Sequence, residues 1–431
     1  MKTALPIGET FFPVPFPPTL EYAAPARGPW NIVHVGMLLP EAHQVFVCAQ
    51  GCLRGVVLTA AEMGASQRFS TIAVEERDLL EGDMEAMIIE GVEDILARLP
   101  KKPRAVLLYT SCVHHFAGCD LDYVYKVLRG RFPEVDFTDC YMNPIMRKKI
   151  SPDVKMRQQL YSLLRPAPQD GGVTLAGTLV PLDGTSDLLE LVRQSGRPFR
   201  AVTSCQSYDE YQQLAQSSFC LTINPAARLA GETLEKRLSQ RHFHLPLSYE
   251  YGEIEGGLAQ LADALGLPQP DWSAKRQAAE AALEKAASAL QGVEVVVDYT
   301  ATSRPLGLCK LLLSHGIRVV RVYADSFLAE ERAAFDWLCE NAPGLQVMAT
   351  VHPAMGLLPH DAAQKAAGKV LAIGQKAAYF TGTGYFVNLI EGGGHYGYDG
   401  IRLLAEELAE AVRQEKDVLS IIQVKGWGCC G

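Results

Sequence analysis

The sequence predicts an α/β protein of parallel, doubly wound sheets arranged in three successive blocks. From Asn31 onward, short apolar and β-branched runs alternate with amphipathic helical stretches. Gly and Pro separate most of these runs, as turn and stop signals do. At 431 residues the chain exceeds one ordinary core, so two or three domains are expected.

The elements follow in order. Residues 1–30 are rich in Pro and aromatics and read as an irregular arm. Block 31–171 opens with strands at Asn31–Val35 and Val45–Val47 and a helix at Gly55–Met63. The long segment Leu79–Leu99 carries Met84, Met87, Ile88, Val92, Ile95 and Leu96 on one helical stripe, and Pro100 and Pro103 stop it. Strand Arg104–Tyr109, helix Leu121–Leu128 and strand Val135–Thr138 complete the block. Block 172–292 alternates strands Val173–Leu175, Phe199–Val202 and Phe219–Ile223 with helices Asp187–Gln194, Ser207–Gln216 and Pro225–Leu238. Its alanine-rich helix Trp272–Leu290 reads as a connector rather than a core element. Block 293–431 has strands Val293–Val297, Ile317–Val322, Leu345–Val351 and Val370–Ile373. Its helices are Leu306–Ser314, Leu328–Glu340 and Ile401–Arg413.

Composition excludes several classes. The chain is 48% hydrophobic and 21% charged, an ordinary globular balance. A net charge of −9 argues against non-specific nucleic-acid binding, which needs a basic footprint. No window approaches eighteen uninterrupted apolar residues, so no membrane span is expected. The start lacks the apolar block of a secretory signal. Eleven cysteines, an odd number without disulfide-scaffold spacing, fit a reducing cytoplasm with free or metal-bound thiols.

Four of those cysteines carry the chemistry. Cys48 and Cys52 stand in VFVCAQGCLRG, and Cys112 and Cys119 in LLYTSCVHHFAGCD. Each pair follows a strand-like run and precedes a helix-like one. That places both on loops at the carboxyl ends of strands, where open α/β sheets put ligands. Thiolates gathered there suit soft metals and iron–sulfur clusters. Four buried structural thiols are the alternative. His114 and His115 are adjacent and point apart, so at most one reaches a cluster, as a donor to its sulfur. Cys205 precedes a helix cap, where a thiol's pKa can fall. Cys140, Cys220, Cys309 and Cys339 read as core, while Cys429 and Cys430 lie in an exposed GWGCCG tail that is either a metal site or plain tail. The His352 and His360 loop is a candidate cleft element. The glycines of EGGGHYGYDG would let backbone approach a cofactor or anion. No GxxxxGK[ST] segment is present, so ATP binding by a P-loop is not expected.

Three stretches carry a family resemblance that runs from about Asn31 to Arg413. VCAQGCLRG resembles an HGPxGC loop, with Cys52 at its Cys. LLYTSCVHHFAGCDLDYV resembles a strand-then-Cys loop whose Cys matches Cys112. GGHYGYDGIRLLAEELAEAV resembles a YHGYDGF-type segment and the helix after it. These are features of the nitrogenase component 1 superfamily, and the acidic turn EERDLLEG between the Cys loops is similar to that family's as well.

The resemblance implies three Rossmann-like domains, with an iron–sulfur cluster in the first. It implies electrons delivered one at a time by a separate ATP-dependent iron–sulfur reductase component. It further implies pairing with an identical or homologous second subunit and a small-molecule substrate in an interdomain cleft. Two departures matter. The family's earlier Cys is absent from NIVHVGMLLPEA, and Cys48 can take its place. Cys119 stands where the family has Asp or Glu. The implied cluster ligands are therefore Cys48, Cys52 and Cys112, with Cys119 as the fourth, around a four-iron or larger cluster. Asn224 in LTINPAARL stands at the family's cofactor Cys, and His395 follows the cofactor His position. Both argue against a usual iron–molybdenum cofactor. The expected function is that of a nitrogenase-like oxidoreductase subunit, or else of a scaffold holding a metallocluster in transit.

Overall fold

The structure is a computed structural model that describes residues 3–21, 31–143 and 150–417. Strand β1 is Ala4–Pro6. Next come α1 (Ile32–Met37), β2 (Ala42–Cys48), α2 (Gln50–Glu62), β3 (Phe69–Ala73), α3 (Glu76–Glu81), α4 (Met84–Arg98), β4 (Ala105–Ser111), α5 (Cys112–Ala117), α6 (Leu121–Arg131), β5 (Asp136–Met142) and α7 (Pro152–Leu160). The middle of the chain holds β6 (Gly172–Leu175), α8 (Asp187–Gln194), β7 (Phe199–Ala201), α9 (Tyr208–Gln213), β8 (Ser217–Thr222), α10 (Arg228–Leu238), β9 (Arg241–His244), α11 (Tyr251–Leu265) and α12 (Ser273–Ala289). The last part holds β10 (Glu294–Asp298), α13 (Pro305–Ser314), β11 (Val319–Tyr323), α14 (Arg332–Asn341), β12 (Gln346–Met348), β13 (Val370–Ile373), α15 (Gln375–Thr381), β14 (Phe386–Val387) and α16 (Gly397–Ala411).

The described residues fall into two compact units. One lies within Pro29–Leu179 and Pro198–His244, the other within Met1–Gly28, Val180–Arg197 and Leu245–Gly431. The first unit has two parallel sheets, ordered β3-β2-β4-β5 and β7-β6-β8-β9. The second has one sheet, ordered β1-β12-β11-β10-β13-β14, parallel except for β1. Strand–helix alternation produces this because a parallel neighbour is reached only by a crossover. Each sheet reverses its order once, and β2 and β4 flank that switch point in the first sheet.

The period-2 pattern sorts the first sheet's side chains into two layers. Val45, Val47, Val106 and Leu108 face one way and pack with Ile88, Val92, Val124 and Leu128 of α4 and α6. Phe46, Cys48, Leu107 and Tyr109 face the other way and pack with Ile32, Val35, Met156 and Leu160 of α1 and α7.

Several elements depart from the sequence expectation. Asn31–Val35, read as a strand, is the start of helix α1. It lies close on the sheet through Gly36, where a Cβ would come within 2.4 Å of the Tyr109 hydroxyl. Tyr109 Oη donates to the Ile32 carbonyl at 3.1 Å and fixes that placement. The Leu79–Leu99 segment is two helices, because Gly82 takes a left-handed φ of 76° and ends α3. The amino-terminal arm is not wholly irregular, since β1 pairs with β12. Helix α12 is no free connector. It packs along α16 and buries Ala279, Ala282, Leu283 and Ala286. Strands β3 and β9 and helices α7, α11 and α15 were not anticipated.

Candidate iron–sulfur site

Cys48 is the last residue of β2 and is fully buried. Val47 pairs with Thr110 across the β2–β4 ladder, so Cys48 stands beside Ser111, and Cys112 follows at once as the first residue of α5. Cys52 is the third residue of α2, in its first turn, and is exposed. The expected loops are thus largely helix starts: the chain turns into α2 after Ala49 and into α5 after Ser111. Residues that were read as loop supply helical N–H groups instead.

These three thiols come together. Burial pushes the Cys48 thiol up to about 12, and the neighbouring Cys52 and Cys112 add to the rise. Burial raises Cys52 as well, and Cys112 adds to it. A bound metal would reverse the rise at Cys48 and Cys52, since coordination deprotonates thiols. Among the described residues, the three sulfurs do not all lie within 4.8 Å of one another. A single tetrahedral ion at about 2.3 Å would draw them to about 3.8 Å. A multi-iron cluster, with each thiolate on a different iron, holds its ligands farther apart. The N-cap of α2, Ala49, offers no side-chain acceptor, so the N–H groups ahead of Cys52, whose own N–H donates to the Ala49 carbonyl at 2.9 Å, favour negative charge. The thiols and their surroundings therefore suit an anionic iron–sulfur cluster.

Cys119 is placed elsewhere. It packs with the α4–α6 layer, opposite the layer that holds Cys48. Burial pushes its thiol up to about 12, helped by the charge of Glu85 and by a hydrogen bond to it. Its N–H donates to the His114 carbonyl at 3.0 Å, past the left-handed Gly118. The structure brings Cys48, Cys52 and Cys112 together but not Cys119. Sequence spacing could not show this, because a tight helical turn and a left-handed glycine lie between Cys112 and Cys119.

The two histidines differ. The Ser111 N–H donates to His114 Nδ1 at 3.1 Å, which makes His114 the cap partner of its own helix. Nδ1 also lies 3.3 Å from the Ser111 carbonyl, and Nε2 is buried with no hydrogen-bond partner among the described residues. His114 is buried, whereas His115 is exposed on α5.

Burial raises the Cys205 thiol to about 11, as for a thiol packed beside the cap rather than one activated by it. Cys140, Cys220 and Cys309 are buried, and Cys339 is half-buried. Cys429 and Cys430 lie outside the described residues. Asn224 caps a short turn, accepting the Ala226 N–H at 2.9 Å. The glycines of EGGGHYGYDG serve close packing. A Cβ on Gly394 would meet the Pro181 carbonyl at 2.2 Å, and one on Gly397 the Asp187 carboxylate at 2.3 Å. At the second unit's switch point, between β10 and β13, the Asp298 carboxylate accepts the Thr300 and Ala377 N–H groups at 2.7 and 2.6 Å. That crevice is closed by the protein itself. Among the described residues, Asp187, Glu190 and Asp399 do form a tight acidic group, but Lys275 already bridges all three.

Comparison with known proteins agrees with this architecture. The solved structure "Nitrogenase Cp1 at pH 6.5" superposes with a TM-score of 0.65 at 16% identity, covering 92% of this chain and 94% of that one. "Nitrogenase Cp1 at pH 5" gives 0.55 at 12% identity, covering 92% and 90%. These likenesses establish the fold. No curated protein matches the sequence. The sequence profile described as nitrogenase component 1 type oxidoreductase matches residues 33–413, nearly the whole described chain, and the chain belongs to that family.

Proposed function

We propose that this chain is a subunit of a nitrogenase-like iron–sulfur oxidoreductase, in which Cys48, Cys52 and Cys112 hold a cluster that relays electrons to a small-molecule substrate. What supports this reading is position: Cys48 ends β2, Cys112 follows the end of the paired β4, and Cys52 lies in the first turn of the helix after β2. An iron–sulfur cluster supplies one-electron transfer at a potential set by its ligands and burial. Cys48, fully buried, anchors the group from beneath and keeps water from that side. Cys52 and Cys112 hold it from two helix starts.

By its family resemblance, electrons would come from a separate ATP-dependent reductase component. Pairing with a second subunit, identical or homologous, is supported by apolar side chains exposed near the cysteine helices. Phe116 of α5 is 74% exposed and Leu80 of α3 is 82% exposed. A usual iron–molybdenum cofactor is not part of this reading. Asn224 occupies the matching position as a cap, and the glycine-rich loop is spent on packing.

A second reading is a scaffold that carries a cluster in transit, which the exposure of Cys52 favours. Anaerobic protein mixed with its reductase and ATP separates the two. An oxidoreductase oxidises the reductase catalytically when substrate is added. A scaffold transfers its iron to an acceptor protein and turns nothing over.

A further inference from the structure

Thr222 Oγ1 lies 2.8 Å from His242 Nε2 and 2.9 Å from His244 Nδ1. We propose that these three residues form a proton relay that serves the reduction chemistry of this chain. The inference rests on the oxidoreductase reading above and adds to it a route for protons.

The β8–β9 ladder builds the group. The two strands are parallel, with Cys220 opposite His242 and Thr222 opposite His244. Alternate residues of a strand share a face, so both imidazoles and the Thr222 hydroxyl lie on one side of the sheet. Helix α10 meets His242 on that side. A Cβ on Gly231, the fourth residue of α10, would collide with the His242 ring. The helix thus carries a glycine in its interior, at a cost to its own stability, where the imidazole needs room.

The hydroxyl limits how the group can be bonded. Thr222 is fully buried, and among the described residues the two rings are the only hydrogen-bond partners of its Oγ1. A hydroxyl has one proton to donate and lone pairs with which to accept. It cannot donate to both rings, so at least one ring donates to it. If both rings donated, the hydroxyl proton would be buried without an acceptor, which is costly. What remains is a chain of N–H to O–H to N that can run in either sense. A proton taken up on His242 Nδ1 drives the Nε2 proton onto Oγ1 and the Oγ1 proton onto His244 Nδ1. His244 Nε2 then releases one proton, so one enters and one leaves. No electron moves, and exchange of ring protons with water restores the first sense.

The two ends suit these roles. Burial lowers the pKa of His242 and Arg228 adds to this, while Glu235 and Glu232 pull it back up. A ring that holds its proton loosely passes it on readily. His244 is the last residue of β9, at the carboxyl end of the sheet, where open α/β sheets meet their ligands. A reduction that adds hydrogen takes up protons along with its electrons, and the relay releases protons at that end.

The test uses the full chain, purified anaerobically with its cluster and labelled with 15N in the histidine rings. NMR should find one contact nitrogen, His242 Nε2 or His244 Nδ1, carrying a proton and the other bare, or both averaged between these states. Thr222→Ser should keep this pattern and Thr222→Val should lose it. In the assay of reductase oxidation, Thr222→Val should slow turnover roughly 100-fold at unchanged half-saturation by substrate. It should also raise the solvent deuterium isotope effect, and Thr222→Ser should match the wild type in both. The relay is overturned if both contact nitrogens carry protons in the wild type, a result that stands even if Thr222→Val fails to fold. It is equally overturned if Thr222→Val turns over at the wild-type rate or with an unchanged isotope effect. A wild type that never oxidises the reductase would instead sink the oxidoreductase reading, and the delivery of protons with it.

Discussion

The thiol of Cys119 hydrogen-bonds to the Glu85 carboxylate, joining the turn after α5 to the first residues of α4. Burial is the larger cause of the raised thiol pKa, and the Glu85 charge adds to it. Glu85→Gln removes the charge and leaves the burial. The thiol should then ionise at lower pH while staying above the ordinary range. Alkylation of Cys119, followed residue by residue by mass spectrometry across pH, should show a rate curve displaced to lower pH. An unchanged curve would mean that Glu85 does not act on Cys119.

Glu331 gives a pH prediction in the other unit. It is buried, and its carboxylate accepts the Leu306 and Gly307 N–H groups at 2.7 and 3.2 Å, at the start of α13. Burial lifts its pKa from 4.5 to about 7 against the pull of those N–H groups. The folded state therefore holds this proton more tightly than the unfolded chain does. Its contribution is fully present below about pH 4.5 and is lost as pH rises through about 7, a loss of about 3 kcal/mol. Glu331→Gln keeps the acceptor oxygen and removes the titration. Measured by urea unfolding, the variant should gain on the wild type between pH 5 and pH 8. An equal difference at both pH values would contradict this.

Gly397 tests the reading of the glycine-rich loop as a packing device. It has a φ of 75°, and the Asp187 carboxylate lies where its Cβ would be. Asp187 accepts the Tyr398 N–H at 2.5 Å and so caps α16. Gly397→Ala should cost about 1–2 kcal/mol for the left-handed backbone. Displacing the cap should cost a further 0.5–2 kcal/mol or so. Gly316 has a φ of 76° with open space around it, so Gly316→Ala should cost only the first part. Equal losses in the two variants, by denaturant titration, would remove Asp187 from the explanation.

Strand–helix alternation made the three parallel sheets legible, and the apolar runs before Cys48 and Cys112 placed those thiols at strand ends. Helix α1 was not legible, because Ile32, Val33 and Val35 have strand character and only packing through Gly36 against Tyr109 makes the segment helical. Helix α12 reads as a connector by composition, yet its alanines are small enough to let α16 lie against it. The layer that Cys119 joins was hidden for a related reason. Seven residues of sequence from Cys112 say nothing about which face of the sheet a thiol reaches once a left-handed Gly118 has turned the chain. Glu331 and Asp187 gave no local signal, since each is defined by a helix start far away in sequence.

The central claim, that Cys48, Cys52 and Cys112 hold an iron–sulfur cluster, is tested most directly by iron and acid-labile sulfide analysis of anaerobically purified protein. The wild type should contain the two in equal amounts, with the visible absorption of a cluster. Cys52→Ala and Cys112→Ala should lose both. Cys309→Ala, altering a buried thiol of α13 in the other unit, should keep both. A wild-type protein without iron, or Cys52→Ala and Cys112→Ala proteins with unchanged iron and sulfide, would contradict the account and leave these cysteines as structural thiols.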